Sequence, residues 1–256
     1  MKTIRLIIIC ALLAMAALTV LAATCCAAEP AAAAAVAAAD NTLTPQEKAT
    51  GWKLLWDGKT WDGWDCTDKT PGGWVIDQNA MFYTVKGHGY EYTKQTFGNF
   101  EFKCDFMVDK GTNSGIFFRW ADIADPVQTG FEMQVLDSAD KKVCDKHDCG
   151  ALYDALAPTV NAMKPALEWN TVDIKCVGSM IVITLNDKRV VMANLDNWTE
   201  AHKNPDGTDN KYDKALKDWA RAGHIGFQAH GGKVWYKNVK VRELAPRDEL
   251  GHTPVR

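Results

Sequence analysis

The sequence predicts an all-β domain: an antiparallel β-sandwich of the jelly-roll type with one short helix. Apolar and polar residues alternate strictly along NFEFKCDFMV, residues 99–108, with the period of two that is typical of a strand with one buried face. Many such runs follow one another and are separated by turns rich in Gly, Asn and Asp. No segment repeats at an interval of about 20–50 residues, which disfavours a propeller or a solenoid.

The individual elements can be assigned in chain order. A capped turn, TPQEKATG, precedes WKLLWDG, a strand that ends at a Gly turn, and GGWVIDQNAMFYTV is typical of a hairpin around Asp77–Asn79. Further strands are predicted in SGIFFRW (114–120), GFEMQVLD (130–137), WNTVDIKCVGSMIVITLND (169–187, a hairpin around Gly178–Ser179), KRVVMANL (188–195), HIGFQAH (224–230) and KVWYKNVKVREL (233–244). The helix is predicted over 210–223, because Leu216 and Trp219 have helical spacing and Gly223 follows its end.

The N-terminus has the pattern of a secretory signal peptide. Lys2 and Arg5 precede a long apolar run that leads into small residues, so residues 1–28 are predicted to be a leader and the protein is expected to be exported, to the periplasm or beyond the cell. The alternative is a membrane anchor, but no basic flank follows the apolar run. A membrane association is otherwise expected only if Cys25 or Cys26 is lipidated.

The rest of the chain divides into three parts. Residues 29–48 are predicted to be an Ala-rich linker, residues 49–246 the folded domain and residues 247–256 a C-terminal tail. Without the two basic residues of the leader, the net charge of −3 becomes −5. A mildly acidic domain without a basic patch is not expected to bind nucleic acid.

Five of the eight cysteines lie in the domain. Cys144 and Cys149, in CDKHDC, are predicted to form a small disulfide loop because an exported protein meets an oxidising environment. A metal site that includes His147 is the alternative. Cys104 is in phase with the apolar face of its strand and is expected to pack as a small hydrophobic residue.

Three strands place polar side chains on one face, opposite bulky apolar ones. By strict alternation, Arg119 is expected on the same face as Phe117. If the free face of the sheet forms a cleft, the polar side chains on that face would give the cleft a cation, a carboxylate, amides and a titratable base. The alternative is that each of these side chains is a solvated surface residue. The residues concerned are Arg119, Glu132, Gln134, Gln228 and His230, with Asn113 and Ser114 beside them.

Several motifs together resemble the 3-keto-disaccharide hydrolase domain family, which has a concanavalin-like jelly-roll fold. The resemblance extends from about Gly51 to Leu244. The motifs are WKLLWDGKTWDGW, FGNFEF, TNSGIFFR, GFEMQVLD, CGALYD, EWNTVDIKCVG, LND and GHIGFQAHGGKVWYKNVKV. The chain departs from the family pattern at Ala229, where the family commonly has Asp, and at Asp187, where the usual Asn-Gly turn reads Asn186-Asp187 but still tolerates a positive φ.

The resemblance implies cleavage of glycosides that are already oxidised at C3 of the sugar. The C3 ketone acidifies the C2 hydrogen, so that a base can form an enolate, and the C1 substituent is then lost by β-elimination before water adds. It also implies an oligosaccharide or glycoside as substrate and an upstream sugar 3-dehydrogenase that supplies it.

The implied chemistry needs a base near neutral pH and an electrophile for the enolate oxygen. His230 is predicted to be the base or the leaving-group acid, with Glu132 as its competitor, and Arg119 is predicted to stabilise the enolate. No cofactor is required; a divalent metal would suit a carboxylate, a histidine and amide oxygens. The residues predicted to bind the substrate are Gln134, Gln228, Asn113, Ser114, Asp137 and Tyr153.

Two other functions fit the same pattern. A non-catalytic carbohydrate-binding module would use tryptophans such as Trp64, Trp120 and Trp198 to stack on sugars. An ordinary two-carboxylate glycosidase would need a pair of acids at the required separation, for which Glu132 and Asp137 are the candidates.

Overall fold

A computed structural model describes residues 39–245. The predicted leader and the predicted C-terminal tail therefore lie outside the described residues. In chain order the elements are α1 (Pro45–Ala49), β1 (Lys53–Leu54), β2 (Trp64–Cys66), β3 (Trp74–Asp77), β4 (Ala80–Tyr83), β5 (Glu91–Thr93), β6 (Phe100–Val108), β7 (Asn113–Trp120), α2 (Pro126–Thr129), β8 (Phe131–Leu136), β9 (Asn170–Val177), β10 (Met180–Leu185), β11 (Lys188–Asn194), β12 (His224–Phe227) and β13 (Val234–Glu243).

The strands form two antiparallel sheets, which confirms the predicted jelly-roll sandwich. The first sheet has eight strands in the order β11-β10-β9-β6-β13-β4-β3, with β1 also paired to β13. The second has five strands in the order β2-β5-β12-β7-β8. The inner faces of the two sheets pack against each other, and Glu132 and Gln134 lie on the outer face of the five-stranded sheet.

The alternation that predicts β6 is confirmed by its burial. Phe100, Phe102, Cys104, Phe106 and Val108 are all buried in the common core, whereas the residues between them are half-buried on the other face. Burying an aromatic or aliphatic side chain contributes about 1.5–3 kcal/mol. The apolar face of this central strand therefore fixes its register against both neighbours.

The two predicted tight turns also have the expected backbone. Gln78 and Asn79 join β3 to β4 with φ of 47° and 61°, and Asn186 and Asp187 join β10 to β11 with φ of 48° and 63°. Two consecutive residues with positive φ match the right-handed twist of a hairpin. Asp187 therefore adopts the positive φ that the sequence was expected to tolerate at this turn.

The folded part begins earlier than residue 49, where the sequence places its start. The side chain of Asn41 accepts a hydrogen bond from the backbone N–H of Asn238 in β13 at 2.8 Å, and Asp40 forms an ion pair with Lys237 at 2.8 Å. The capping box of Thr44 and Glu47 then begins α1. No helix among residues 39–245 is long and apolar enough to cross a membrane.

The predicted helix over 210–223 is wrong. This segment is an irregular loop with a single turn of 3-10 helix at Leu216–Asp218. The spacing of Leu216 and Trp219 instead reflects a loop whose apolar side chains are buried against the sandwich, where the Trp219 ring lies 5.1 Å from that of Phe131. Tertiary packing has therefore overridden the local helical pattern.

The predicted disulfide between Cys144 and Cys149 is also wrong, because both thiols are free. Cys149 is fully buried in the core, and its N–H donates to Ser138 Oγ at 3.2 Å. The loop is closed instead by Asp148, which accepts a hydrogen bond from the backbone N–H of Asp145 at 2.8 Å and pairs with Lys141 at 2.6 Å.

Candidate active site

Glu132 lies on the outer face of β8 and extends over Gly115 of the neighbouring strand. In the ladder between β7 and β8, Phe117 pairs with Glu132 and Gly115 pairs with Gln134. A Cβ atom at Gly115 would lie 2.1 Å from Glu132 Oε1. The absence of a side chain at Gly115 is therefore what allows the carboxyl group to occupy its position.

We expect Gly115→Ala to displace this carboxyl group and to lower activity at least tenfold, because a misplacement of about 1 Å in a catalytic group can cost on the order of 100-fold. Steady-state kinetics would measure the loss. Gly231→Ala is the matched control, since nothing lies within 4 Å of a Cβ there. Equal activity in the two variants would contradict the assignment of Glu132 to the site.

Burial dominates the electrostatics of Glu132. Its side chain is only 6% exposed, and burial raises its pKa to about 8, although the nearby charge of Lys211 lowers it. Burial also lowers the pKa of Lys211, against the charges of Glu132 and Asp154. The Lys211 ammonium lies 4.1 Å from the centre of the Tyr153 ring. The site thus holds a carboxylic acid and an amine that both titrate closer to neutrality than usual.

Two amides connect Glu132 to the start of β7. The Gln134 amide lies 3.1 Å from Asn113 Oδ1 and 3.2 Å from Glu132 Oε1. With its nitrogen towards Asn113, its oxygen can accept a hydrogen bond from the O–H of neutral Glu132. In the reversed orientation its N–H donates a hydrogen bond to Glu132. The orientation of Gln134 is therefore linked to the protonation state of Glu132.

Gln228 and Tyr90 form the next part of the site. Gln228 Nε2 donates to the Tyr90 hydroxyl oxygen at 3.0 Å, and the Tyr90 ring lies 5.4 Å from that of Phe117. Burial raises the pKa of Tyr90, the hydrogen bond from Gln228 lowers it, and the charge of Glu132 raises it. Gln228 Oε1 is buried and has no hydrogen-bond partner among the described residues. Such an orphaned acceptor is suited to a ligand hydroxyl.

A short segment extends the sheet beyond β8 and places Tyr153 beside Glu132. The N–H of Tyr153 donates to Glu132 O at 2.9 Å, and the N–H of Gln134 donates to Ala151 O at 3.0 Å. Residues opposite each other in such a pairing point to the same side. Burial raises the pKa of Tyr153, and the charge of Glu132 raises it further.

Asp154 holds together the two loops that flank these groups. It accepts hydrogen bonds from the Lys211 N–H at 2.7 Å and from His147 Nε2 at 2.9 Å, and it pairs with Lys146 at 2.8 Å. Burial by itself would raise the pKa of Asp154, but the hydrogen bonds from Lys146, the Lys211 backbone and His147 lower it. Asp154 is therefore an ionised anchor for the Lys211 loop.

We call these groups the Glu132 cluster. It comprises Glu132, Gln134, Gln228, Asn113, Tyr90, Tyr153 and Lys211. Among residues 39–245, no group of three or more His, Cys, Asp or Glu side chains is arranged to hold a metal ion.

The sequence profile of the 3-keto-alpha-glucoside-1,2-lyase-like domain matches residues 51–242. The chain belongs to this family. A 3-keto-disaccharide hydrolase of Bacteroides thetaiotaomicron is 28% identical to the chain, over 77% of the chain and 79% of that protein. The expected family is therefore confirmed, and it makes the chain a carbohydrate-active hydrolase.

Solved structures of family-like proteins have the same fold. A crystal structure of a candidate glycosyl hydrolase from Parabacteroides distasonis matches with a TM-score of 0.68 and 30% identity, over 75% of this chain and 99% of that one. A second candidate glycosyl hydrolase from the same organism matches with a TM-score of 0.66 and 24% identity, over 81% of this chain and all of that one.

Arg119 is not part of the Glu132 cluster, and the expectation that it shares the face of Phe117 is wrong. Its φ of 50° and a register shift against β12 interrupt the alternation, so that the outer-face position is taken by Trp120, whose ring lies 6.0 Å from that of Phe117. The guanidinium donates to Gly98 O at 3.0 Å and to Gly178 O at 2.8 Å. Arg119 therefore ties its strand to loops of the other sheet.

Ser114 and Asp137 also lie away from the cluster. The Ser114 hydroxyl is buried between the sheets, 2.6 Å from Gln228 O and 2.8 Å from the Tyr236 hydroxyl. Asp137 accepts a hydrogen bond from the Gly111 N–H at 2.8 Å and pairs with Lys110, so it closes the turn before β7. The pair that a two-carboxylate mechanism would need, Glu132 and Asp137, is therefore not assembled.

The remaining predicted residues are His230, which is exposed, and three tryptophans, which are buried. His230 is exposed beyond the end of β12 and forms no hydrogen bond to a described residue through its side chain, although the next residue, Gly231, pairs with Asn113 of the cluster. The tryptophans proposed for stacking on sugars, Trp64, Trp120 and Trp198, are each at least 97% buried. They pack inside the domain and leave no open aromatic face.

Sequence reasoning missed Lys211, Tyr90 and Gly115. Lys211 falls in the segment that was predicted to be helical, and Tyr90 precedes a three-residue strand that the periodicity does not reveal. Gly115 carried a usable signal, because a glycine inside a strand often marks a close approach.

Proposed function

We propose that the protein cleaves 3-keto-glycosides by proton abstraction at C2, β-elimination at C1 and addition of water. The observation that supports this most strongly is the buried Glu132 carboxyl, whose pKa is raised to about 8 beside an ammonium group and two tyrosine hydroxyls. A relative that is named a 3-keto-disaccharide hydrolase supports the choice of substrate.

In the proposed reaction, ionised Glu132 removes the C2 proton of the 3-keto sugar. The electron pair of the broken C–H bond forms the enolate, whose oxygen at C3 is stabilised by donors from Lys211 or Tyr90. The electrons then return to expel the C1 oxygen, which takes a proton from an acid such as Tyr153 or protonated Lys211. Glu132 then returns its proton to C2 while water adds its hydroxyl group at C1 and gives its remaining proton back to the acid, so that the overall change is hydrolysis.

Lys211 is expected to affect both the activity and its pH dependence, and kinetics can measure the two effects separately. We expect Lys211→Met to lower activity at pH 7 about 10- to 100-fold and to shift the pH dependence of kcat/KM upwards, because the Lys211 charge lowers the pKa of Glu132. Lys214→Met, an exposed lysine of the same loop, is the matched control. An unchanged pH profile in Lys211→Met would contradict the electrostatic coupling.

The decisive experiment compares oxidised and unoxidised substrates. Purified protein is incubated with a 3-keto-disaccharide and with the parent disaccharide, with EDTA and with added Mg²⁺ or Mn²⁺, and the products are separated by mass. We expect cleavage of the 3-keto form alone, with exchange of the C2 hydrogen for deuterium in D₂O. Equal cleavage of both sugars would contradict the mechanism, and binding without turnover would favour the carbohydrate-binding alternative.

The same assay separates the two candidate bases. His230→Ala is expected to retain most of the activity because the imidazole is exposed and unconnected to Glu132 by any hydrogen bond among the described residues. A loss comparable to that of a Glu132 variant would return the role of base to His230.

We also propose that the protein is exported, as its leader sequence predicts. Fractionation of the producing cells, with mass spectrometry of the mature N-terminus, tests this. A cytoplasmic protein that retains residues 1–28 would contradict it.

A further inference from the structure

A cavity lies at the edge of the sandwich, and its lining includes no residue of the Glu132 cluster. Its volume is about 320 Å³, within the range of pockets that hold small ligands. It opens between β2, the edge strand of the five-stranded sheet, and β3, the edge strand of the eight-stranded sheet. We call it the edge cavity. Its lining includes Trp61, Trp64, Trp74, Asp65, Asp68 and Glu91.

Glu91 faces the edge cavity from the opposite side of the sheet to Glu132. In the ladders of β5 it pairs with Cys66 and with Phe227, and Phe227 belongs to the core. The next residue, Tyr92, points to the other face, where its ring lies 5.5 Å from that of Trp120. The edge cavity is therefore a separate site on the inner face of the sheet.

The Glu91 carboxyl is an unusual group for an inner face. It is 6% exposed and forms no ion pair with a described residue, and its hydrogen-bond partner is the Cys66 thiol. Burial raises its pKa to about 7. A buried carboxyl group with so few partners is costly unless a ligand completes its hydrogen bonds.

The indole N–H groups that line the edge cavity differ in whether a described residue already accepts their hydrogen bond. Trp64 and Trp74 donate their N–H groups to Leu55 O and Gly89 O, both at 2.7 Å. Trp61 is half-buried, and its N–H has no partner among the described residues. The lining of the edge cavity thus includes one indole N–H without a partner among the described residues and one buried carboxyl.

The other charged side chains that line the edge cavity indicate which class of ligand it can bind. Asp65 forms an ion pair with Lys69. Asp68 accepts hydrogen bonds from the N–H groups of Thr70 and His88, at 2.9 and 3.0 Å. Three carboxyl groups against one lysine disfavour an anionic ligand. The described residues also contain no cluster suited to a metal ion.

We propose that the edge cavity binds a neutral pyranose ring. Hydroxyl groups of the sugar would donate to Glu91, and a ring oxygen or hydroxyl would accept from the Trp61 N–H. The apolar face of the ring would pack against the half-buried indole of Trp61 or Trp74 rather than against the buried Trp64. Carboxyl acceptors combined with aromatic surface are the groups that such a ligand uses. This site is independent of the proposed catalytic function.

Binding can be followed at the indole groups themselves. Protein labelled with ¹⁵N-tryptophan is titrated with glucose, galactose, mannose and xylose, and the indole N–H resonances are assigned through Trp61→Phe. We expect a saturable shift of the Trp61 resonance by at least one sugar, with a Kd in the millimolar range, on the order of 1–10 mM. Tetramethylammonium chloride is the parallel probe, because tryptophans beside carboxylates also suit an ammonium ion.

Variants then assign the binding to the edge cavity. Glu91→Gln, which preserves the shape of the side chain, is expected to weaken binding about three- to tenfold. Trp61→Ala, followed at the Trp64 and Trp74 indole resonances, is expected to weaken it at least tenfold. Glu132→Gln is expected to bind the sugar with unchanged affinity. Thermal unfolding of each variant establishes that it is folded.

Three results would overturn the proposal: no saturable shift up to about 100 mM of any sugar, a response to tetramethylammonium alone, or equal affinity in Glu91→Gln and the parent protein. Turnover of a 3-keto-glycoside is measured separately. Failure of the edge cavity to bind sugar therefore leaves the proposed reaction untouched, and failure of the reaction leaves this binding measurement valid.

Discussion

Glu132→Gln is expected to lower kcat/KM for a 3-keto-glycoside by about 10²- to 10⁴-fold, the usual contribution of a positioned acid or base. Gln preserves the length of the side chain and can still hydrogen bond to the Gln134 amide, 3.2 Å away, but it cannot accept the C2 proton. Steady-state kinetics on a purified 3-keto-disaccharide would measure the loss. Asp137→Asn is the matched control, because that carboxylate serves a turn rather than the cluster.

The pH dependence identifies the group that titrates. Because burial raises the pKa of Glu132 to about 8, kcat/KM of the parent protein should rise with pH through this value, as ionised Glu132 becomes populated. An ordinary histidine base would instead give a rise near pH 6.5. A rise near that pH that persists in Glu132→Gln would refute the role of Glu132 and favour His230.

Glu132→Gln should also stabilise the folded protein at alkaline pH. The pKa of Glu132 is higher in the folded protein than the usual 4.5 of the unfolded chain, so the folded state binds more protons between these values and stability falls as pH rises through this window. Glu132→Gln removes this penalty. We expect a gain of about 2–4 kcal/mol at pH 9 relative to pH 4, since each pKa unit corresponds to about 1.4 kcal/mol. Chemical denaturation at both pH values would measure it.

Local sequence patterns were sufficient to predict the fold where one face of a strand is buried against the core. Alternation along β6 and the Asn-Asp turn before β11 reflect contacts within a few residues, so the sequence alone indicates them. The loop over 210–223 and the cysteine pair were predicted wrongly because long-range packing decided both. Leu216 is buried against the sandwich, and Cys149 is enclosed in the core.

The candidate active site likewise contains residues that local patterns reveal and residues that only long-range contacts position. Glu132 and Gln134 were found because they share a face of one strand, and Tyr153 because its motif carried the family resemblance. Lys211 could not be found, since its position depends on Asp154 holding the Lys211 N–H across 57 residues of sequence. Arg119 was misplaced because a single residue with positive φ exchanges the faces of the strand beyond it.

Arg119→Met is expected to destabilise the domain by about 2–4 kcal/mol, because it leaves the carbonyl groups of Gly98 and Gly178 without their charged donor. Arg119 is fully buried, so water cannot replace those hydrogen bonds. For a domain of this size the midpoint of thermal unfolding should fall by roughly 5–15 °C. Arg221→Met is the matched control: Arg221 also donates to backbone carbonyls but is partly exposed, so its loss should cost about 1 kcal/mol or less.

Kinetics then separate the two roles considered for Arg119. If it only joins the sheets, Arg119→Met assayed well below its unfolding midpoint should keep kcat/KM within about twofold of the parent. Among the described residues Arg119 forms no hydrogen bond with the Glu132 cluster, because its donors are directed at Gly98 and Gly178. If it stabilises the enolate, kcat should fall by about 10²-fold or more while the variant remains folded. A folded but inactive Arg119→Met protein would therefore place the guanidinium in the reaction and contradict the geometry described for β7.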